Sequence, residues 1–359
     1  MEAIIKQKML DYLLSSNLIS KHQHGFLSKR STCSQWLKCV DDWTLALHNR
    51  YSVDVVYVDF SKAFDSVSYS KLLHKLKSFG IGGKLLLWIC DYLNKRTQCV
   101  KVGNCFSNYA SVGSGVPQGN VLGPLLFLLF ITDICNIFGD FLSVKLFADD
   151  LKVYVVIDFT DNTERLQNGL NKLGECTEIW QINLSINKCL ALHVGEQNPM
   201  SSYCISGLQQ ANVTETVDLG ILVDTRLRFD KHVCNIVHKA HQWAALIKRC
   251  FRTRDANVLM KAFTVYVRPL LEYCSPVWNP QYVCHISNIE SVQRRFTKHL
   301  TGLKNNTYIT RLSKLNVDSL ELRRLTSDLT LVYCIVHGLT ILDCSQFLRY
   351  LIVLLVVMN

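Results

Sequence analysis

Residues 144–157 read VKLFADDLKVYVVI, and this stretch decides the fold. The runs Val144–Phe147 and Lys152–Ile157 are rich in the β-branched and aromatic side chains that are typical of strands. Because only four residues separate the two runs, they predict a β-hairpin with Asp149 and Asp150 at its tip. An aspartate pair between two apolar strands is a candidate functional site, although turns also favour aspartate for purely local reasons.

A second apolar run, residues 53–60, predicts a buried strand that carries Asp59 near its end. A carboxylate beside a hydrophobic core is costly unless it is compensated, and three such groups need a cation. Hard oxygen ligands suit Mg²⁺. The sequence therefore predicts a site for two Mg²⁺ ions, with Mn²⁺ as a substitute. Two ions about 3.5–4 Å apart can activate a hydroxyl group and stabilise departing pyrophosphate.

The remaining pattern predicts an α+β part followed by an all-helical part, with a boundary near residue 225. Helical periodicity covers most of residues 1–50 and 70–93, and residues 121–138 and 162–181, while strands are expected at 98–102, 110–113, 190–194 and 217–223. From Asp230 onward apolar residues recur at helical spacing, and Asp230 itself is a candidate N-cap.

Basic residues are concentrated in one segment of the chain. The formal net charge is +10, and residues 226–311 contain 15 Lys and Arg against 4 Asp and Glu, so 15 − 4 = +11 falls within them. Such asymmetry indicates a polyanionic partner, and the alternative is a solvated basic helix face. We expect Trp243 and Trp278 in this segment to be core residues.

Composition narrows the class of protein. With 49% hydrophobic and 19% charged residues the 359-residue chain is expected to be globular. No apolar run reaches the roughly 20 residues that a spanning helix needs, and the N-terminus lacks the layout of a signal peptide. The 15 cysteines include no Cys-x-x-Cys pair, which favours reduced thiols. We expect a soluble intracellular protein with no membrane partner, in the cytoplasm, the nucleus or both.

Longer motifs surround the three aspartates in a characteristic order. The chain contains QHGF at 23–26 with RST at 30–32, VYVDFSKAFDSV at 56–67, SGVPQGNVLGPLLF at 114–127, LFADD at 146–150, LSINKC at 184–189 and LGILVD at 219–224. Further on, it contains YVRPLLEY at 266–273 and PVW at 276–278. These motifs resemble the reverse transcriptase domain of non-LTR (LINE-type, jockey-like) retrotransposons over roughly residues 15–340.

This resemblance implies a right-hand polymerase. Residues 1–225 would form fingers and palm, with an antiparallel sheet packed on helices and with the N-terminal fingers incomplete. Residues 226–345 would form a basic helical thumb, and residues 346–359 an apolar tail. The family implies an RNA template, a DNA primer and deoxynucleotides as partners, and we expect the endonuclease domain of full-length elements to be absent from this chain. The sequence leaves the oligomeric state open.

The resemblance also implies roles for acidic and backbone metal ligands. Asp59 and Asp149 would bind both metal ions, and Asp150 would complete the acidic cluster. The carbonyl of Phe60 would add a metal ligand. Lys188 would neutralise or protonate the departing pyrophosphate; considered alone, it would be a solvated surface charge.

Further residues match the family's nucleotide-binding positions. Phe64 would be an aromatic gate whose ring excludes a ribose 2′-hydroxyl. Gln118 would contact the incoming nucleotide, beside a helix start whose N–H groups suit phosphate. Arg30 and Lys29 would pair with the triphosphate. Asn120 stands where most relatives have serine, and we expect its turn to survive because Asn is small and polar.

Three functions are compatible with these motifs. An active RNA-directed DNA polymerase is the leading hypothesis. The alternative is a catalytically inactive relic of a retrotransposon, or a domesticated protein that only binds RNA or DNA. An RNA-directed RNA polymerase is the third, and the aromatic residue at position 64 argues against it.

Overall fold

The computed structural model describes residues 1–158 and 161–347, which form two compact units. The first unit comprises Met1–Ser31 and Trp43–Thr214, and the second comprises Thr32–Asp42 and the chain from Glu215 onward. The assignment of fingers, palm and thumb to residue ranges remains a prediction. The predicted apolar tail at 346–359 lies, from residue 348 onward, outside the described residues.

The first unit combines helices with a five-stranded sheet. Its helices are α1 Glu2–Ser15, the second part of α2 Thr32–His48, α3 Tyr69–Ser78, α4 Gly83–Leu93, α5 Gly123–Ile131 and α6 Asp161–Trp180. Its strands are β1 Ser52–Val58, β2 Arg96–Gln98, β3 Lys101–Val102, β4 Cys105–Phe106, β5 Ala110–Val112, β6 Ser143–Phe147, β7 Asp150–Ile157, β8 Leu190–Val194, β9 Cys204–Ile205, β10 Leu208–Gln209 and β11 Ala211–Val213.

The five-stranded sheet has the order β11-β8-β1-β7-β6 and is antiparallel except for the β11–β8 edge. Strand β1 lies at its centre, which agrees with its near-continuous apolar sequence. The predicted hairpin β6–β7 is confirmed, with Phe147 opposite Asp150. Its turn is tighter than the four residues expected, because β7 already begins at Asp150.

The apolar helix predicted over residues 121–138 is divided. Helix α5 ends at Ile131, and Thr132–Phe138 continue as a 3₁₀ helix. The buried ammonium group of Lys75 contacts the carbonyl of Phe130 at this point and lies 2.9 Å from Asp133. A polar side chain that enters a helix in this way competes with the regular hydrogen-bond ladder.

As far as residue 347, where the described part of the chain ends, the second unit is helical apart from one hairpin. Its elements are the first part of α2, β12 Glu215–Asp218, β13 Ile221–Asp224, α7 Asp230–Cys250, α8 Ala256–Tyr266, α9 Arg268–Glu272, α10 Ser275–Trp278, α11 Val283–Lys298, α12 Tyr308–Leu315, α13 Leu320–Val336 and α14 Cys344–Phe347. The α+β class followed by a helical part is therefore confirmed. The single strand predicted over residues 217–223 was wrong, because Leu219 and Gly220 adopt φ of 46° and 83° and turn the chain.

Helix α7 confirms one prediction and corrects two others. Most of the apolar stripe is buried as expected, from Val233 to Ile247. Asp230 is the first helical residue, so the N-cap is Phe229 with φ of 55°. Trp278 is buried, but Trp243 is 44% exposed and stacks on Tyr266. The side chain of Trp243 therefore lies beyond the edge of the buried face of α7.

Two expectations from composition can be compared with the described residues. None of their helices is long and apolar enough to cross a membrane. None of the described cysteines forms a disulfide bond, which agrees with the thiols expected from the absence of paired spacing.

Candidate active site

The end of strand β1 lies beside the tip of the β6–β7 hairpin. Val58 is opposite Leu151 in the sheet, so the next residue, Asp59, leaves the strand next to Asp150. Asp149 occupies the turn, and its pKa is raised, first by burial and then by the negative charge of Asp59. The sheet register therefore brings Asp59 close enough to Asp149 for the two carboxylates to interact electrostatically.

The backbone around Asp59 is held by the loop after α6. Ser185 donates its N–H to the carbonyl of Asp59 at 2.8 Å, and Ser61 donates to the carbonyl of Asn183 at 2.7 Å. Lys188, in a short 3₁₀ helix, places its ammonium Nζ 3.6 Å from Asp59 Oδ2. Phe60 is buried and forms a bridge with Leu184. The structure therefore places Asp59, Phe60 and Lys188 close together.

The donor chemistry at this site fits a divalent cation. Asp59 and Asp149 supply hard carboxylate oxygens, and the raised pKa of Asp149 reflects a burial and repulsion that a cation would relieve. Asp150 is exposed at the first position of β7. Within residues 1–158 and 161–347, however, no three His, Cys, Asp or Glu side chains converge as a complete metal-binding cluster. The three aspartates are neighbours in the fold, but their side chains do not form a complete metal-binding site.

Phe64 lies on the same segment as Asp59 and is fixed by other rings. Its ring stacks on Phe127 with centroids 4.1 Å apart, and the ring of Phe26 meets it edge-on at 6.3 Å. The carbonyl of Phe64 accepts a hydrogen bond from the N–H of Val116 at 2.9 Å. Phe64 is therefore held in one orientation beside the loop that carries Gln118.

The loop Ser114–Gln118 is joined to the segment after Phe64. Gln118 Nε2 donates to Asp65 Oδ1 at 3.1 Å, and Ser114 Oγ donates to the carbonyl of Asp65 at 2.9 Å. A Cβ at Gly115, where φ is 81°, would lie 2.7 Å from Asp65 Cα, so only glycine fits there. The guanidinium group of Arg96 donates to the carbonyls of Ser114 and Gly115.

The helix start after this loop differs from the prediction. The N–H groups of Val121 and Leu122 both donate to Glu2 Oε2, at 3.1 and 3.2 Å, and that of Gly123 donates to Asn120 Oδ1 at 2.8 Å. These donors were expected to be available to phosphate and are instead occupied by a carboxylate and an amide. The turn that contains Asn120 does form, because its side-chain amide oxygen accepts a hydrogen bond as a serine hydroxyl would.

Arg30 and Lys29 lie in the loop that precedes α2. Arg30 Nη1 donates to the carbonyls of Ser20 and Lys21, both at 3.2 Å, and to that of Gln23. Lys29 has a left-handed backbone with φ of 61°. One guanidinium nitrogen of Arg30 therefore stabilises the backbone of the preceding loop. Pairing of Arg30 and Lys29 with a triphosphate remains a prediction.

A comparison of the sequence with known protein families agrees with this arrangement of the site residues. Residues 1–229 match the model of the family described as reverse transcriptase (RNA-dependent DNA polymerase). The chain belongs to the reverse transcriptase family. This membership confirms the family that the ordered motifs indicated.

Relatives of this reverse transcriptase chain come from mobile elements. It is 26% identical to the probable RNA-directed DNA polymerase from transposon X-element of Drosophila melanogaster, over 84% of this chain and 34% of that protein. It is 25% identical to the RNA-directed DNA polymerase from mobile element jockey of Drosophila funebris, with the same shares covered. These matches confirm the resemblance to non-LTR elements. The chain spans about a third of the length of these relatives.

Among solved structures, the reverse transcriptase chain is similar to the apo telomerase of Candida tropicalis. The match has a TM-score of 0.46 and 10% identity, and it covers 92% of this chain and 58% of that one. Telomerase of Candida albicans, in complex with a fragment of telomeric RNA, matches with a TM-score of 0.39 and 12% identity, over 88% of this chain and 54% of that one.

Two residues of the site had no role in the sequence interpretation. Asp65 was quoted only as part of a motif, yet it contacts Gln118 and the loop before it. Gln23 was likewise quoted only as part of the motif at 23–26, yet its side chain binds Ala148 in the hairpin turn. No local pattern could reveal either contact, since each joins residues that are distant along the chain.

Proposed function

We propose that this chain is an RNA-directed DNA polymerase that adds deoxynucleotides to the 3′-hydroxyl of a primer. The observation that carries the proposal is the register of β1 against the β6–β7 hairpin, which sets Asp59 beside the turn with Asp149. Membership of the reverse transcriptase family supports the same activity. RNA template, DNA primer and deoxynucleotides are the partners that this function requires.

Carboxylate and carbonyl oxygens and one lysine of this chain would carry the catalytic chemistry. Asp59 and Asp149 would hold divalent metal ions, with Asp150 and the carbonyl of Phe60 as additional oxygen donors. Bound there, Mg²⁺ would lower the energy of charge that develops on the attacking and departing oxygens. Lys188, whose ammonium group already lies 3.6 Å from Asp59, would offset charge on the departing pyrophosphate.

Nucleotide selection is proposed to depend on the segment that joins Phe64 to the Gln118 loop. The ring of Phe64 is braced by Phe127 and would meet a ribose 2′-hydroxyl. Gln118, oriented by Asp65, would hydrogen-bond the incoming nucleotide. Arg30 and Lys29 would add positive charge for the triphosphate.

Primer extension tests the proposal. The purified chain is incubated with poly(rA)/oligo(dT), deoxythymidine triphosphate and Mg²⁺, and product length is measured. We expect extension that Asp149→Ala reduces by at least about a hundredfold, since it removes a charge-stabilising ligand. Asp91→Ala, which removes an exposed aspartate from α4, is the matched control and should extend normally. No extension by the unaltered chain, or equal extension by Asp149→Ala, contradicts the assignment.

One observation favours a second candidate, a protein that binds nucleic acid without catalysis. The described residues contain no complete three-ligand metal cluster. In that case the unaltered chain should bind the RNA–DNA duplex in a filter or fluorescence-anisotropy assay. It should incorporate no nucleotide with either Mg²⁺ or Mn²⁺.

A further inference from the structure

The segment His22–Gly25 forms an additional edge beside the hairpin that carries Asp149. The N–H of His24 donates to the carbonyl of Leu146 at 2.7 Å, and the N–H of Leu146 donates to the carbonyl of His22 at 3.0 Å. Gln23 and Leu146 thereby form a parallel bridge. This pairing brings the side chain of Gln23 to the turn that follows β6.

The Gln23 amide holds both backbone polar groups of Ala148. Its Oε1 accepts from the N–H of Ala148 at 2.9 Å and from that of Gly25 at 2.8 Å, and its Nε2 donates to the carbonyl of Ala148 at 3.2 Å. Gln23 is only 2% exposed, so water does not compete for these bonds. A buried donor or acceptor without a partner is unfavourable, which makes this arrangement strongly preferred.

The backbone at this turn needs such support. Ala148 has φ of 56°, a left-handed conformation that is unfavourable for a residue with a side chain. Gly25 permits the close approach, because a Cβ there would lie 2.5 Å from the nitrogen of Ala148. The amide of Gln23 thus compensates a strained conformation at the residue directly before Asp149.

We propose that Gln23 is a positioning residue for Asp149. It fixes the peptide groups on both sides of Ala148, and rotation of either group would displace the α-carbon of Asp149 relative to Asp59. Displacement of a reacting group by about 1 Å can reduce a rate by about a hundredfold. This inference rests on the proposed function, because the displacement matters only if Asp149 takes part in catalysis.

Two substitutions separate the contributions of the amide. Gln23→Met keeps the length of the side chain and removes all three hydrogen bonds. Gln23→Glu keeps acceptors for the N–H groups of Ala148 and Gly25, and an ionised carboxylate has no donor for the carbonyl of Ala148. Gln210→Met is the matched control, because Gln210 is also buried in the first unit but bonds through its amide to the carbonyl of Leu208. It precedes β11, at the opposite edge of the sheet from the hairpin.

The variants are compared by kcat, by KM for primer–template and by thermal unfolding. We expect kcat to decrease in the order unaltered chain, Gln23→Glu, Gln23→Met, with a loss of at least about tenfold for Gln23→Met and no change in KM. Gln210→Met should keep its kcat. A kcat for Gln23→Met within twofold of the unaltered chain overturns the proposal, as does an equal loss in Gln210→Met.

A measurement without turnover separates this inference from the proposed function. Mn²⁺ binding is followed by electron paramagnetic resonance in the absence of nucleotide. We expect Gln23→Met to weaken Mn²⁺ binding while Gln210→Met does not, because displaced Asp149 no longer faces Asp59. If the unaltered chain fails to extend primers but shows this pattern, the polymerase proposal fails and the positioning role stands. Unchanged Mn²⁺ binding in folded Gln23→Met overturns the positioning role.

Discussion

At the scale of single residues, the orientation of Phe64 depends on its neighbours and not on its position in a motif. Phe127 stacks on one face of the ring, and Phe26 contributes an edge contact. Aromatic pairs of this kind contribute about 0.5–1.5 kcal/mol beyond the burial of their area. A ring restrained in this way can act as a steric limit, whereas a mobile ring would yield to an additional hydroxyl group.

Replacement of Phe64 tests its role as a gate. We expect Phe64→Ala to raise the efficiency of ribonucleotide incorporation relative to deoxynucleotides by at least about tenfold, because the space for a 2′-hydroxyl opens. The ratio of kcat/KM for the two nucleotides measures this effect. Phe79→Ala, at the C-terminal end of α3, is the control for loss of a partly buried ring. An unchanged ratio in Phe64→Ala would remove the gate assignment.

At the scale of elements, strand β1 carries a buried polar network near one end and Asp59 just beyond the other. Asp54 Oδ1 lies 2.7 Å from His193 Nδ1 on β8 and accepts from Asn198 Nδ2 at 2.7 Å. Tyr203 donates its hydroxyl to Asp54 Oδ2. The network joins β1 to β8 and so stabilises the strand from which Asp59 projects.

The pKa of His193 gives this network a pH dependence. Burial alone would lower the pKa, but the hydrogen bond and charge of Asp54, with smaller contributions from Asn212 and Asn198, raise it above 6.5. In the pH range just above 6.5 the folded state therefore binds more protons than the unfolded state. The stabilisation is complete below the unfolded pKa and is lost as the pH rises through the folded pKa.

Equilibrium unfolding in urea measures this effect. We expect the free energy of unfolding to fall between pH 6 and pH 8 by more in the unaltered chain than in His193→Gln. The comparison with the variant is needed because burial lowers the pKa of His232 in the second unit to about 4, and this gives the opposite slope below pH 6.5. Parallel pH profiles for the two proteins would exclude the raised pKa as a source of stability.

At the scale of the whole molecule, the Lys and Arg residues of the segment 226–311 are not all available to a polyanionic partner. Arg311 is buried and donates to the carbonyls of Asn306 and Arg294, and Arg268 lies 3.6 Å from Glu272. Other cations, however, face one another between α7 and α11. The pKa of His241 is lowered by burial and then by the charges of Arg295 and Lys248. Such mutual repulsion would be relieved by a polyanion.

Salt dependence of duplex binding tests the basic surface of α7 and α11. We expect Lys248→Ala with Arg295→Ala to weaken binding of an RNA–DNA duplex and to reduce the slope of log K against log salt by about 1–2, one for each lost phosphate contact. Lys172→Ala, which removes an exposed lysine from α6, should leave the slope unchanged. An unchanged slope in the double variant would indicate a merely solvated basic face.

Much of the site could be anticipated because its signals are local. Two runs of strand-forming residues with four residues between them placed Asp149 and Asp150 on a hairpin, and the apolar run before Asp59 predicted a buried strand. Local signals also led to two wrong predictions. Residue type does not define where a buried face ends, so Trp243 was wrongly expected in the core, and the apolar pattern of residues 217–223 concealed the turn at Gly220.

The sequence by itself determined the kinds of elements, the order of the motifs and the family, because each is encoded by neighbouring residues. Only the tertiary structure decided that Gln23 meets Ala148, that Asp54 meets His193, and that Glu2 occupies the start of α5. Periodicity specifies which face of an element is buried but not which partner covers it. The partner depends on strand order and register, which the whole chain fixes through the burial of its core.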